Sequence, residues 1–86
     1  MDKQFWKDYS FVKRGSQRRK VIVALDKPMT VTEIREKVKL SLSETSRVLR
    51  TLKKKWLTRC LNEKDVLGRV YELSERGVKI KTKLAN

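Results

Sequence analysis

The segment Thr30–Leu57, TVTEIREKVKLSLSETSRVLRTLKKKWL, decides the fold, because it contains the start signals of two helices separated by a short turn. Thr30 stands three residues before Glu33, and Ser41 stands three residues before Glu44. In such a capping box the hydroxyl and the carboxylate each satisfy a free backbone N–H group at the start of a helix. Two capped helices joined by a connection of a few residues predict a helix-turn-helix.

The second helix of this pair, predicted over residues 42–55, has an apolar face and a polar face. At helical spacing Thr45, Val48 or Leu49, and Leu52 point inward. The opposite face carries hydroxyl and cationic groups, which a helix that only packs does not need. These outward positions are Leu42, Ser43, Ser46, Arg47, Arg50 and Lys53 or Lys54.

Weaker signals predict the elements before the pair. Residues 1–15 form an aromatic N-terminal segment that contains four of the six aromatic residues, and its short helix ends at Gly15. We expect this segment to pack on the last helix. A second helix begins at Ser16 as N-cap and stops before Pro28, and a short strand follows near Met29. The first helix of the capped pair then runs to Lys37 or Val38.

After Trp56 the spacing of apolar residues changes from helical to alternating. The stretches LTRCL (57–61) and RVYEL (69–73) predict two strands of a hairpin, with Gly68 where a positive φ is favourable. Val66 and Leu67 at the tip are expected to pack back onto the domain. Ser74 begins a C-terminal helix over residues 74–86.

Eighty-six residues are too few for a second hydrophobic core, so the chain is predicted to be a single domain over residues 1–86. The predicted fold class is α+β, mostly α. Its architecture is a winged helix-turn-helix with a two- to three-stranded β-wing and flanking N- and C-terminal helices.

The charge balance favours a nucleic-acid partner. Twenty-three Lys and Arg against ten Asp and Glu give a net charge of +13, which attracts phosphate backbones or anionic membranes. The charge is spread through a folded pattern rather than along one amphipathic helix, so nucleic acid is favoured over a membrane surface. No apolar run approaches the about 20 residues of a membrane-spanning helix, and the start lacks a signal-peptide pattern, so a cytoplasmic location is expected.

The composition argues against enzymatic and metal chemistry. The chain has no histidine, and the lone Cys60, expected to be a buried structural thiol, cannot form an intrachain disulfide or a Cys-rich zinc site. Glu63 and Asp65 fall in a loop without apolar residues to shape a pocket. We therefore expect a protein that is not an enzyme and has no metal, no cofactor and no evident small-molecule effector.

The capped pair, the hairpin and the LSERG opening of the last helix together resemble winged helix-turn-helix transcriptional regulators, over roughly residues 16–80. The similarity is greatest to small archaeal members in the broad ArsR and MarR neighbourhood. Abundant Lys and Glu agree with a hot environment. The resemblance implies a double-stranded DNA target and, usually, a homodimer on a near-palindromic site.

The chain departs from this family at two points. Trp56 stands where members commonly carry glycine, directly after the recognition helix, and so a different helix exit is expected. The Cys and His ligands of the metal-sensing branch are missing, which argues against regulation by a metal.

The candidate DNA contacts fall into three groups. Base reading in the major groove is assigned to one outward face of the recognition helix 42–55. These residues are Ser43, Ser46, Arg47 and Arg50. Backbone contacts are assigned to Thr32, Arg35, Ser41, Lys53, Lys54 and Lys55, although the three lysines are equally suited to the negative end of the helix dipole. In the wing, residues 62–69, Lys64 and Arg69 are assigned to the minor groove or its phosphates, with Glu63 and Asp65 opposing them.

The start of the second helix could approach the DNA backbone through Arg18, Arg19 and Lys20, but solvent exposure is the default assignment for these residues. Two other functions stay open. The first is a basic RNA- or DNA-associated architectural protein that ignores sequence. The second is a winged-helix protein-interaction module of the transcription machinery, whose apolar N-terminus docks a partner. Trp6 and Trp56 could stack on single-stranded bases, but the sequence does not place them on one surface.

Overall fold

The structure is a computed structural model that describes residues 2–65 and 67–86, and within them the chain forms five helices and three short strands. The helices are α1 Lys3–Lys13, α2 Ser16–Ala24, α3 Val31–Val38, α4 Leu42–Lys54 and α5 Glu75–Ala85. The strands are β1 Met29–Thr30, β2 Thr58–Cys60 and β3 Val70–Leu73. This architecture is the predicted winged helix-turn-helix of the mostly helical α+β class.

The strands form one antiparallel sheet in the order β1-β3-β2. Tyr71 at the centre pairs with Met29 on one side and with Cys60 on the other. Since β1 leads directly into α3, this pairing ties the wing to the helix-turn-helix. Gly68 has a φ of 71°, the left-handed conformation predicted for it before β3.

Every helix contributes to the core. The largest side chains that are almost completely buried include Ile22, Ile34, Leu49, Leu52 and Ile80. In α4 the predicted inward residues Thr45, Val48, Leu49 and Leu52 are all buried. The hydroxyl of Thr45 donates to the carbonyl of Ser41 at 2.9 Å, so this polar side chain is satisfied within its own helix.

The predicted capping box forms in full at α3, but only its Ser41 half forms at α4. Thr30 and Glu33 form the reciprocal capping box of α3. At α4 the Ser41 hydroxyl accepts from the backbone N–H of Glu44 at 3.1 Å, and the Glu44 carboxylate accepts from this hydroxyl and from Gln17 Nε2, each at 2.9 Å. Glu44 therefore also ties α4 to α2. The prediction of Ser16 as N-cap was wrong, because extended Gly15 occupies that position without a side-chain cap.

Helix α4 ends in a Schellman motif. The N–H of Trp56 donates to the carbonyl of Lys53, and the N–H of Leu57 donates to that of Leu52, both at 3.0 Å. Trp56 has a φ of 63°, and the buried Leu52 and Leu57 side chains belong to the core. The expectation of a different helix exit was wrong, because Trp56 adopts the left-handed conformation that favours glycine.

The aromatic segment packs on the last helix, as predicted, since α1 lies against α5. Asp8 of α1 is buried and accepts two hydrogen bonds from the Arg76 guanidinium of α5, at 2.8 and 2.9 Å. Lys83 of α5 lies 5.8 Å from the ring centre of Trp6. The ion pair and the cation–π contact both join α1 to α5.

Two predictions near the wing need correction. Leu67 is 88% exposed, so it does not pack back onto the domain, and Val66 lies outside the described residues. Cys60 is half-buried rather than fully buried, and its Sγ lies 3.7 Å from Asn62 Oδ1. Across residues 2–65 and 67–86, no helix is long and apolar enough to cross a membrane.

Candidate nucleic-acid interface

The predicted base-reading residues lie on the solvent side of α4. Ser43, Arg47 and Arg50 are exposed, and Ser46 is half-buried. The 13 residues of α4 give a rod of about 20 Å, a length that suits a DNA groove. Because the opposite side of this rod is buried in the core, the exposed face is held in a fixed orientation.

A concavity of about 380 Å³ lies between α3, α4 and the wing. Its lining includes Thr32 from α3, Ser46 and Arg50 from α4, and Arg69 from the wing. The fold thus brings together residues that the sequence assigned separately to base reading, backbone contact and the wing. The hydroxyl and guanidinium groups on this surface are donors of the kind that bind phosphate oxygens.

The predicted backbone residues at the helix starts are accessible. Thr32 and Arg35 are exposed on α3, and Ser41 is exposed at the start of α4. The Ser41 hydroxyl is occupied by Glu44, and the hydrogen bond that it donates to the Glu44 carboxylate lowers the pKa of Glu44, together with the bond from Gln17. Ser41 therefore fixes the N-terminus of α4.

The three lysines at the end of α4 have different surroundings. Lys53 is paired with Glu63 of the wing, and this hydrogen bond raises the pKa of Lys53 and lowers that of Glu63. Lys55 Nζ lies 5.0 Å from the ring centre of Phe11. Lys54 is exposed and has no ion pair within the part of the chain that the structure describes.

In the wing, the Arg69 side chain is partly used to hold the loop. Its Nε donates to the carbonyl of Asp65 at 2.8 Å, and its Nη2 donates to that of Glu63 at 3.3 Å. Lys64, by contrast, is exposed near the tip. The predicted wing residues therefore differ, because Lys64 is accessible whereas Arg69 also organises the backbone.

Asn62, the first residue of the wing, organises the loop through its side chain, a role that the sequence analysis did not identify. Its Nδ2 donates to Asp65 Oδ2 at 3.0 Å and to the Gly68 carbonyl at 3.1 Å. Its Oδ1 accepts from the backbone N–H of Val70 at 2.7 Å. The signal available in the sequence was an asparagine at the start of a hairpin loop, where its side chain can replace backbone partners.

A second concavity, of about 370 Å³, contains basic residues that the sequence did not assign to the interface. Arg14 and Arg18 from the α1–α2 region line it together with Arg47 of α4. Arg18 donates to the carbonyl of Phe11 at 2.7 Å and lies 3.9 Å from the centre of its ring, so it is not simply solvated. This grouping depends on a tertiary contact, and no local signal in the sequence indicates it.

Among the described residues, no group of three or more His, Cys, Asp or Glu side chains could hold a metal ion. The acidic residues near the interface instead form ion pairs with Lys or Arg, or hydrogen bonds at the start of a helix. Glu63 pairs with Lys53, and Glu72 accepts from Arg59 Nε at 3.0 Å. The surface therefore exposes mainly cationic and hydroxyl groups.

Solved structures with a similar fold include the following three. A double mutant of Lactococcus lactis ZitR superposes with a TM-score of 0.72 at 22% identity, covering 83% of this chain and 50% of that chain. A MarR family transcription regulator gives 0.76 at 17% identity, with 94% and 56% covered. A mutant of S. aureus MepR gives 0.58 at 15% identity, with 99% and 56% covered.

No family model matches the chain, and no curated protein matches it. The similar structures agree with the winged-helix fold derived above. The chain spans about half the length of each of them.

Proposed function

We propose that the chain is a sequence-specific, duplex-DNA-binding transcriptional regulator. Helix α4 enters the major groove, and the wing, residues 62–69, lies near the adjacent minor groove. The observation that carries this proposal is the concavity in which α3, α4 and the wing bring Thr32, Ser46, Arg50 and Arg69 together. A net charge of +13 supports it, as does the similarity in fold to a MarR family transcription regulator.

Base reading in this proposal depends on Arg47 and Arg50. Each guanidinium can pair bidentately with O6 and N7 of guanine, an interaction worth about 1–3 kcal/mol against a wrong base. Ser43 and Ser46 lie on the same face and offer hydroxyls to a base edge or a phosphate. The capped N-terminus of α4 adds free N–H groups and the positive end of the helix dipole.

The backbone contacts surround this face. Thr32, Arg35 and Lys54 are accessible without rearrangement, and Lys64 is accessible at the wing. Lys53 reaches a phosphate only by leaving Glu63, and Lys55 by leaving the Phe11 ring. We therefore infer a graded set of phosphate contacts, in which Lys54 contributes more than Lys53 or Lys55.

A homodimer on a two-fold site belongs to the same proposal. Trp6 of α1 and Val78 of α5 are 47% and 51% exposed, which leaves apolar surface on the terminal helices for a second copy. In such a dimer the two recognition helices would lie about 34 Å apart, matching half-sites one turn apart. Dimer formation predicts an inverted repeat in the bound sequence.

Selection of bound sequences from a pool of random duplexes, followed by equilibrium titration, tests the proposal. We expect a common motif with two-fold symmetry, bound about 10³-fold or more tightly than unrelated duplexes. Equal affinity for all duplexes, lost together as salt rises, would instead identify a basic protein that ignores sequence.

A pair of matched variants assigns this specificity to α4. The double variant Arg47→Ala and Arg50→Ala should lose about 10-fold or more in affinity for the selected duplex, and its preference over unrelated duplexes should shrink. The control variant Lys3→Ala and Lys7→Ala removes the same charge from exposed positions of α1. It should weaken binding to all duplexes alike. Equal effects of the two double variants would refute base reading by α4.

A further inference from the structure

Trp56 is a large aromatic side chain in an unfavourable backbone conformation. Its φ of 63° lies in the left-handed region, which costs a residue with a side chain about 1–2 kcal/mol relative to the right-handed conformation. The side chain is nevertheless 72% exposed, so burial does not compensate for this cost. Strained residues of this kind cluster at functional sites, and Trp56 is therefore a candidate for one.

Trp56 lies at the edge of an open groove of about 730 Å³ between the end of α4 and strand β2. Arg50 and Lys54 line the groove from α4, and Arg59 and Cys60 line it from β2. Its surface is mainly apolar, with the cationic groups around it. An aromatic ring beside several cations suits a ligand that has a flat ring and negative charge.

The cations of the groove are only partly neutralised. Lys53 is paired with Glu63, and Arg59 with Glu72 at 2.8 Å. Arg50 and Lys54 have no carboxylate partner within the described residues. The groove therefore keeps free positive charge on the side formed by α4, within the reach of a ligand that contacts Trp56.

We propose that this groove binds an unpaired nucleotide of a single-stranded nucleic-acid segment. The base stacks on Trp56, and the neighbouring phosphates bind Lys54 and Arg50. A positively charged groove with an aromatic side chain on which a base stacks is a common means of binding a single strand. A strand is favoured over a free nucleotide because the groove is open and its cations are spread along it, without a closed pocket around one phosphate.

This site shares Arg50 and Lys54 with the proposed duplex contacts and differs from them through Trp56. Trp56 lies beyond the last residue of α4, and it is absent from the concavity that joins α3, α4 and the wing. A failure of one proposal can therefore be told from a failure of the other. Loss of base reading follows from changes at Arg47, whereas loss of stacking follows from changes at Trp56.

Tryptophan fluorescence tests the stacking directly. In a Trp6→Phe background Trp56 is the sole tryptophan. Titration with an oligothymidylate of about eight nucleotides should quench its fluorescence saturably, because a base that stacks on the indole ring quenches its emission. Thymidine monophosphate at the same nucleotide concentration should quench much less. Equal quenching by the mononucleotide would overturn the assignment to a strand.

The variant Trp56→Gly separates stacking from folding. Glycine accepts a positive φ without a steric cost, so this variant should unfold at a temperature close to or above that of the wild type. It should lose about 5- to 150-fold in affinity for a labelled oligothymidylate, measured by anisotropy, while its duplex affinity stays within about twofold. Wild-type affinity for the oligothymidylate would overturn the proposal.

A charge-matched pair tests the phosphate contact. Lys54→Ala and Lys7→Ala each remove one exposed lysine, but only Lys54 lines the groove. Affinity for the oligothymidylate should fall more for Lys54→Ala than for Lys7→Ala at every salt concentration. Equal losses would show that the single strand responds to overall charge, and the groove would not be its site.

Discussion

Replacing Gly77 with alanine should destabilise the contact between α5 and the backbone of Leu57, which lies between α4 and β2. A Cβ at Gly77 would lie 2.1 Å from the carbonyl oxygen of Leu57, whereas the shortest ordinary carbon–oxygen distances are about 3.3 Å. The two backbones must therefore separate by about 1.2 Å. The same carbonyl accepts from the N–H of Ser74 at 3.0 Å, and this separation would stretch or break that bond.

The expected magnitude is the sum of three effects on the free energy of unfolding. Overpacking costs about 1–3 kcal/mol, and loss of the Ser74 hydrogen bond costs about 0.5–1.5 kcal/mol. Alanine recovers about 1 kcal/mol, because it favours a helix more than glycine does. The net loss is then about 2 kcal/mol, which lowers Tm by about 8–16 °C for a domain of this size.

Thermal unfolding followed by circular dichroism measures this loss. Lys79→Ala is the matched control, because Lys79 lies two residues further along α5 and its side chain is exposed. This control should change the stability by less than about 0.5 kcal/mol. A Gly77→Ala variant with the same Tm as wild type, or a higher one, would show that α5 does not approach the Leu57 backbone closely.

Three further changes test the wing and the start of α3. Glu63→Gln should free Lys53 and raise duplex affinity by up to about 8-fold at 0.1 M salt. The slope of log affinity against log salt concentration should become steeper by about 0.9, and an unchanged slope would exclude Lys53 from the phosphate contacts. Asn62→Ala should cost about 1–3 kcal/mol and reduce the hydrogen-exchange protection of the Val70 amide; unchanged protection would contradict the Asn62 network. The backbone and hydroxyl of Thr30 lower the pKa of Glu33, so this stabilisation is fully present above the ordinary value of 4.5 and is lost as pH falls through the lowered pKa. Glu33→Gln should therefore flatten the decline of Tm in acid, and an equally steep decline would contradict this role.

The parts of the fold that could be predicted from the sequence are those set by local interactions. The Thr30–Glu33 box starts α3 through bonds between residues three apart. The inward residues of α4 follow from helical spacing alone, and Gly68 takes the positive φ that its position before a strand indicates. Local chemistry failed at Ser16, because glycine in extended conformation also serves as an N-cap.

The parts that the sequence could not predict depend on distant residues. Asp8 is buried only because Arg76, 68 positions later, reaches it. Arg14 joins Arg47 at one concavity only because the α1–α2 turn packs beside α4. The pairing of Lys53 with Glu63 likewise requires the wing to fold back toward the helix. The last two contacts modify the candidate interface without changing its position.

Trp56 shows how the backbone can override the preference of a residue. Its left-handed conformation is unfavourable for tryptophan by about 1–2 kcal/mol. The Schellman hydrogen bonds and the burial of Leu52 and Leu57 fix the helix exit at this position. Tryptophan at this position suggested a different helix exit. The hydrogen bonds and the apolar contact nevertheless produce the left-handed exit that glycine usually adopts.

Amide chemical-shift mapping most directly tests whether the exposed face of α4 contacts DNA. The nitrogen-15-labelled protein would be titrated with its selected duplex. The largest shift changes should fall on residues 43–50, with smaller ones across the wing and at Thr32. Changes concentrated in α1 and α5, with the amides of residues 43–50 unaffected, would contradict the proposed mode of binding.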